Sequence, residues 1–158
     1  MAERDDTARD AAAAAAAAAE AGAGHRYRLR VYYEDTDAGG VVYHANYLRF
    51  AERARTEALR AAGAPHAALA TEAGQFFMVR RVEVDYAAPA RLDDSLIVVT
   101  RLLRIGGASV DLVQHVMREE RRLASIEVAL VCVRMADGRP GRIPPRWRAA
   151  LTSLAGPK

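Results

Sequence analysis

With a single cysteine, Cys132, in 158 residues, the chain cannot form an intrachain disulfide. Once the small alanines of the N-terminus are set aside, no apolar run approaches the roughly eighteen residues that a membrane-crossing helix needs. The opening Met1-Ala2-Glu3-Arg4-Asp5-Asp6 is too acidic for the basic start of a secretory signal. These absences together point to a reducing, cytoplasmic setting.

Several kinds of chemistry also lack their residues. The histidines at 25, 44, 66 and 115 show no metal-ligand spacing with one another or with Cys132, and there is no His-Glu-x-x-His. The nucleophile elbow Gly-x-Ser-x-Gly and the phosphate loop Gly-x-x-x-x-Gly-Lys-Ser/Thr are both missing. Gly22-x-Gly24 opens like a dinucleotide loop, but Tyr27 stands where the third glycine belongs. Neither a metal nor a cofactor is expected. Cys132 falls on the apolar side of a predicted strand, as an inert buried thiol does. The net charge is +3, but the arginines are scattered among carboxylates. That pattern indicates a solvated surface and not a nucleic-acid partner. Every basic residue except Lys158 is arginine, which suits planar recognition of phosphate or carboxylate.

What remains is enough for one core, since 51% of the residues are hydrophobic. Residues 1–24 form an alanine-rich N-terminal extension, expected to be a fraying helix or disorder because it has no large side chain to anchor it. The domain is placed at 25–150, with 151–158 as a C-terminal tail. A strand-like run from Tyr27 to Tyr33 leads into a double-glycine turn at Gly39-Gly40. Helical periodicity follows over 46–62, with Tyr47, Phe50, Ala51, Ala54, Ala58 and Ala61 on one face. Asn46 is the expected N-cap, and Gly63 and Pro65 end the helix. After a loop holding His66 and Gly74, strands are expected near 76–86, 96–105, 109–118 and 123–134. Gly106-Gly107 is read as a two-residue hairpin turn with positive backbone angles, and Glu119-Glu120-Arg121-Arg122 as a polar turn. One long helix followed by hairpin-linked strands means an α+β domain with an antiparallel sheet.

The segment from Tyr33 to Tyr47 concentrates chemistry: Glu34, Asp35 and Asp37, two glycines, His44 and a helix start. The first N–H groups of a helix have no intrahelical partner and can polarise a carbonyl, while a carboxylate beside them can attack it or activate water. The same residues can equally make an acidic turn that caps a helix.

The stretch from Tyr32 to Glu57, with Glu34-Asp35-Thr36-Asp37-Ala38-Gly39-Gly40 and Glu52-Arg53-Ala54-Arg55-Thr56-Glu57, closely resembles the Tol-Pal-associated acyl-CoA thioesterases. These belong to the 4-hydroxybenzoyl-CoA thioesterase type of hotdog protein. The resemblance runs on through Phe77 to Tyr86, Pro89 to Asp94, Ala108-Ser109, Gln114 and the segment from Gly138 to Pro144.

It implies a long central helix wrapped by a five-stranded antiparallel sheet, in homodimers or homotetramers whose active sites lie between subunits. It places the catalytic aspartate at Asp37 and the carbonyl-facing N–H at His44. The histidine is typical of the Tol-Pal-associated branch and so implies aliphatic acyl-CoA. Tyr43 and Asn46 beside it are substrate-binding candidates, and Arg101, Arg104 and Arg118 are candidates for the CoA phosphates. A peripheral association with envelope proteins is a further implication. A CoA thiolate leaves without a general acid, so no metal is needed, and Asp37 can serve as nucleophile or as general base. The alternatives are a non-catalytic hotdog scaffold or envelope-complex partner, and a hydroxyacyl dehydratase, which needs histidine and carboxylate paired across the substrate.

Overall fold

The computed structural model describes residues 24–156, so what was expected of residues 1–23 lies outside the described residues. Along the described residues one strand and two helices precede four consecutive strands and a last helix: β1 His25–Arg30, α1 Asn46–Ala61, α2 His66–Ala73, β2 Gln75–Tyr86, β3 Ser95–Ile105, β4 Ser109–Arg118, β5 Arg121–Arg134 and α3 Pro145–Thr152. All pairings are antiparallel, in the order β1-β3-β4-β5-β2. The sheet encloses α1, which is the α+β hotdog arrangement implied by the resemblance. No helix among the described residues is long and apolar enough to cross a membrane.

The period-2 pattern of β5 is read out directly: Ala124, Ile126, Val128, Leu130 and Cys132 are buried while Glu127 is exposed. On α1 the stripe Tyr47, Phe50, Ala51, Ala54 and Ala58 is buried, and its alanines let the sheet approach the helix closely. Ala61 is exposed instead, at the last turn. Tyr47 and Phe50 pack with Leu96, Val98, Val116 and Ile126 at one end of the helix. Ala58 and Leu59 pack with Leu69, Leu112, Trp147, Leu151 and Leu154 at the other. Cys132 is fully buried, and burial pushes its thiol pKa up, so it stays a protonated core side chain.

Several expectations change. His66–Ala73 is a helix, ended by Gly74 at φ 61°, where the sequence reading had a loop. A further helix, α3, runs through position 150 and buries Leu151, and Leu154 beyond it accepts a hydrogen bond from the Leu102 N–H. Neither Gly106 nor Gly107 takes a positive φ. The turn there spans 106–108, and Gly106 serves close approach, since a Cβ on it would stand 2.6 Å from the Ser109 hydroxyl. The last hairpin turns on Glu119-Glu120 alone, with Glu119 at φ 55° and Arg121 already in β5. On β2 the alternating apolar residues are only partly covered: Val84 packs against the core, but Val82 and Tyr86 stay 38% and 46% exposed on this edge strand.

Candidate active site

Between β1 and α1 the chain makes a tight hairpin with Asp37 at its head. The Asp37 N–H donates to Val41 O at 2.9 Å and the Gly40 N–H to Asp37 O at 3.0 Å, with Gly40 at φ 74°. That backbone angle favours glycine, and it reverses the chain in the space available. The Asp37 carboxylate accepts the Gly39 N–H at 2.8 Å and is otherwise exposed. Asp35, two residues earlier, has the opposite environment. It is buried, its carboxylate accepts the Tyr32 N–H at 2.8 Å, and its carbonyl accepts the Tyr43 N–H at 2.9 Å. Side-chain placement thus separates two aspartates that the sequence shows side by side: Asp35 braces the hairpin and Asp37 presents its charge.

The return strand of the hairpin runs directly into α1. Asn46 is not the N-cap; Ala45 holds that position with helical angles of φ −71° and ψ −20°. The Asn46 side chain is drawn inward to donate to the Asp35 carbonyl at 2.9 Å, which joins hairpin to helix and takes it away from capping. The N–H groups of Tyr43, Asn46 and Leu48 are used in the turn, while those of His44 and Ala45 take no part in its backbone hydrogen bonds. Tyr43 and His44 are exposed side by side, their rings 4.5 Å apart.

Tyr86, at the end of β2, donates its hydroxyl to His44 O at 2.7 Å. Tyr47 accepts the Ala90 N–H at 3.0 Å, and Val42 donates to Ala90 O at 2.9 Å. Burial raises both phenol pKa values, so both tyrosines act as neutral hydrogen-bonding struts. Sequence reading left Tyr86 as an ordinary strand residue, because nothing along the chain shows that β2 ends beside the helix start. These residues line a cavity of about 260 Å³ formed by Val42, His44, Tyr47, Tyr86, Ala87, Ala88 and Pro89. Asp37 is not in its wall. It lies across the hairpin from Val41, which stands three residues before His44.

A family model described as the thioesterase-like superfamily matches residues 31–151, which spans the hairpin, the helix and the whole sheet beyond β1. The chain belongs to the thioesterase-like superfamily. The acyl-CoA thioesterase YbgC of Haemophilus influenzae is 43% identical over 126 residues, which is 80% of this chain and 93% of that protein. The acyl-CoA thioester hydrolase YbgC of Escherichia coli O157:H7 is 47% identical over 117 residues, 73% of this chain and 87% of that protein. Among solved structures, a probable thioesterase from Bartonella henselae superposes with a TM-score of 0.73 at 39% identity, covering 76% of this chain and 98% of that one.

In this thioesterase-like chain the three arginines named from sequence part company. Arg118 pairs with Asp94 at 2.7 Å, and Asp94 also accepts the Arg91 N–H at 2.9 Å. Because Arg91 bridges to Val41, this pair buttresses the Asp37 hairpin from outside. Burial works against the Asp94 charge, but the Arg91 N–H and the Arg118 guanidinium outweigh it and hold its pKa below the ordinary carboxylate value. Arg104 is tied to Asp111 at 2.6 Å, toward the opposite end of β3 from Ser95, which is the residue nearest the hairpin. Nine strand steps separate the two, roughly 30 Å. Arg101 is half-buried opposite Val113, in the same distant half of β3. Within one chain, therefore, the strand register brings Arg118 to the hairpin and leaves Arg101 and Arg104 away from it. No group of three or more potential metal ligands occurs among the described residues.

Proposed function

We propose that this chain hydrolyses the thioester of an acyl-CoA to the free acid and CoA, with Asp37 as the reacting carboxylate. The observation that carries this reading is the contrast around the hairpin: a buried Asp35 whose carboxylate accepts the Tyr32 N–H, beside an exposed Asp37 held by the Gly39 N–H, just ahead of a helix start where the His44 and Ala45 N–H groups take no part in the turn's backbone hydrogen bonds. The names of the related proteins support the substrate class.

In this reading the thioester carbonyl lies against the N–H groups at His44, which receive the negative charge that develops on its oxygen. As nucleophile, Asp37 adds to the carbonyl carbon and the C–S bond breaks with its electron pair on sulfur. Water then hydrolyses the resulting anhydride. As general base, Asp37 instead takes the proton of the water that attacks. Both routes release a CoA thiolate that needs no acid to leave. Tyr43, exposed beside His44, stands on the acyl side, Asn46 acts only from behind by tying the helix start to the hairpin, and Arg118 stands nearest to a CoA phosphate among the three arginines. Aliphatic acyl groups and a cytoplasmic site of action belong to the same reading.

A second copy of the chain completes the assembly. The edge strand β2 exposes Phe76 and Met78 on one face and Val79 and Val82 on the other, apolar surface that a monomer would leave in water. Light scattering is expected to give a homodimer or homotetramer.

The test is thiol release from an acyl-CoA panel by wild type, Asp37→Asn and Asp35→Asn. General-base or nucleophilic loss predicts a fall of about a hundredfold or more for Asp37→Asn. Its hairpin stays intact, because an asparagine oxygen still accepts the Gly39 N–H. Near-wild-type turnover by folded Asp37→Asn would remove the proposed role.

A further inference from the structure

A second cavity is larger than the one beside His44. It encloses about 540 Å³ between the flank of α1, the start of α2 and the sheet, and none of Asp37, Tyr43, His44 or Asn46 lines it. Most of its wall is apolar: Leu59, Phe76, Phe77, Leu112, Leu130 and Leu151. Into this wall is set Arg55. Its guanidinium donates to the Oε1 of Gln114 at 2.8 Å, and Gln114 is itself fully buried and fixed by Ala51 O and the Thr100 hydroxyl. Glu52 lies at the exposed rim, where its charge acts on Arg55 although the two form no ion pair, and His66 lies in the wall. Among the described residues no carboxylate is ion-paired with Arg55, although arginines 60, 81, 104, 118, 134 and 146 all are.

A guanidinium offers five N–H donors in a planar fork, and a neutral amide oxygen satisfies only part of it. The Glu52 carboxylate at the rim offsets part of the charge, but the guanidinium donors that Gln114 does not take remain in a largely apolar cavity, where an anion carried inside would meet them. We propose that this cavity binds a carboxylate carried on an apolar body, with Arg55 gripping the carboxylate and the phenylalanines and leucines enclosing the chain. Two sources supply that chemistry: a free aliphatic acid, or the far carboxylate of a dicarboxylic acyl thioester.

The test begins on the unmodified protein, with decanoate and decanol titrated by calorimetry while the His66 imidazole signals are followed by NMR. Decanoate is expected to bind about tenfold or more tightly than decanol and to shift His66, because a hydrogen bond to a charged group discriminates by that order. Arg55→Met is expected to erase the preference. Equal binding of the two probes, or decanoate binding that leaves His66 unmoved, overturns the proposal. The sources are separated by comparing hydrolysis of the mono-CoA thioester of decanedioic acid with that of decanoyl-CoA. An Arg55-dependent preference for the diacid thioester assigns the cavity to the substrate's far end, and no preference assigns it to free acid. Asp37→Asn should bind decanoate as wild type does, so failure of the hydrolytic reading and failure of this one show up in different experiments.

Discussion

Replacing Gln114 by leucine tests the core on which the helix is seated. Gln114 has no exposed surface and makes three hydrogen bonds: it accepts from Arg55, and it donates to Ala51 O and to the Thr100 hydroxyl. Leucine matches its volume closely, so no cavity opens and the effect is polar. The Arg55 bond involves a charged donor, and such bonds contribute about 1.5–3 kcal/mol, while the Thr100 bond contributes about 1. Ala51 O loses least, since a helix carbonyl retains its own i+4 partner. The expected loss is about 3 kcal/mol, a substantial share of the roughly 5–15 kcal/mol of a typical domain. At about 4 °C per kcal/mol for a chain of this size, the melting temperature should fall by about 12 °C. Calorimetry on Gln114→Leu, Thr100→Val and the double variant measures it. The double variant should lose less than the sum, because Thr100 and Gln114 share one bond. A fall of under about 4 °C for Gln114→Leu would refute the view that Arg55 depends on Gln114.

Ending the chain at residue 150 removes the buried Leu151 and Leu154, each worth about 1.5–3 kcal/mol, so the shortened protein should melt far lower or fail to fold by circular dichroism. Asp37→Asn should leave the melting temperature within about 2 °C, since the exposed carboxylate has one local bond that asparagine repeats. Asp94 has a folded-state pKa below its unfolded one, so its contribution is present above the unfolded value of about 3.9 and is lost as pH falls through the folded value. Wild type should therefore lose more stability than Asp94→Asn when melting is followed from pH 5 down to pH 3, and parallel curves would count against the Asp94–Arg118 pair.

Much of the architecture was legible because it rests on local periodicity. The stripe of Tyr47, Phe50, Ala51, Ala54 and Ala58 repeats at the helical period, and the alternation of Ala124 to Cys132 repeats at the strand period. The short helices α2 and α3 were missed because one or two turns carry too little periodicity to register, and their stability comes from the cluster of Leu69, Trp147 and Leu151 that forms only after folding.

The sequence by itself determined that a carboxylate hairpin with two glycines leads into a long amphipathic helix, and the resemblance of that segment carried the family. Which aspartate braces and which is presented was decided only by the tertiary structure. Asp35 and Asp37 are chemically alike, and only the position of the Tyr32 N–H and the Asn46 amide buries one of them. The separation of Arg118 from Arg101 and Arg104 likewise depends on strand register. The neighbours of a strand residue are set by pairing with chain far away in sequence, and no local pattern encodes that.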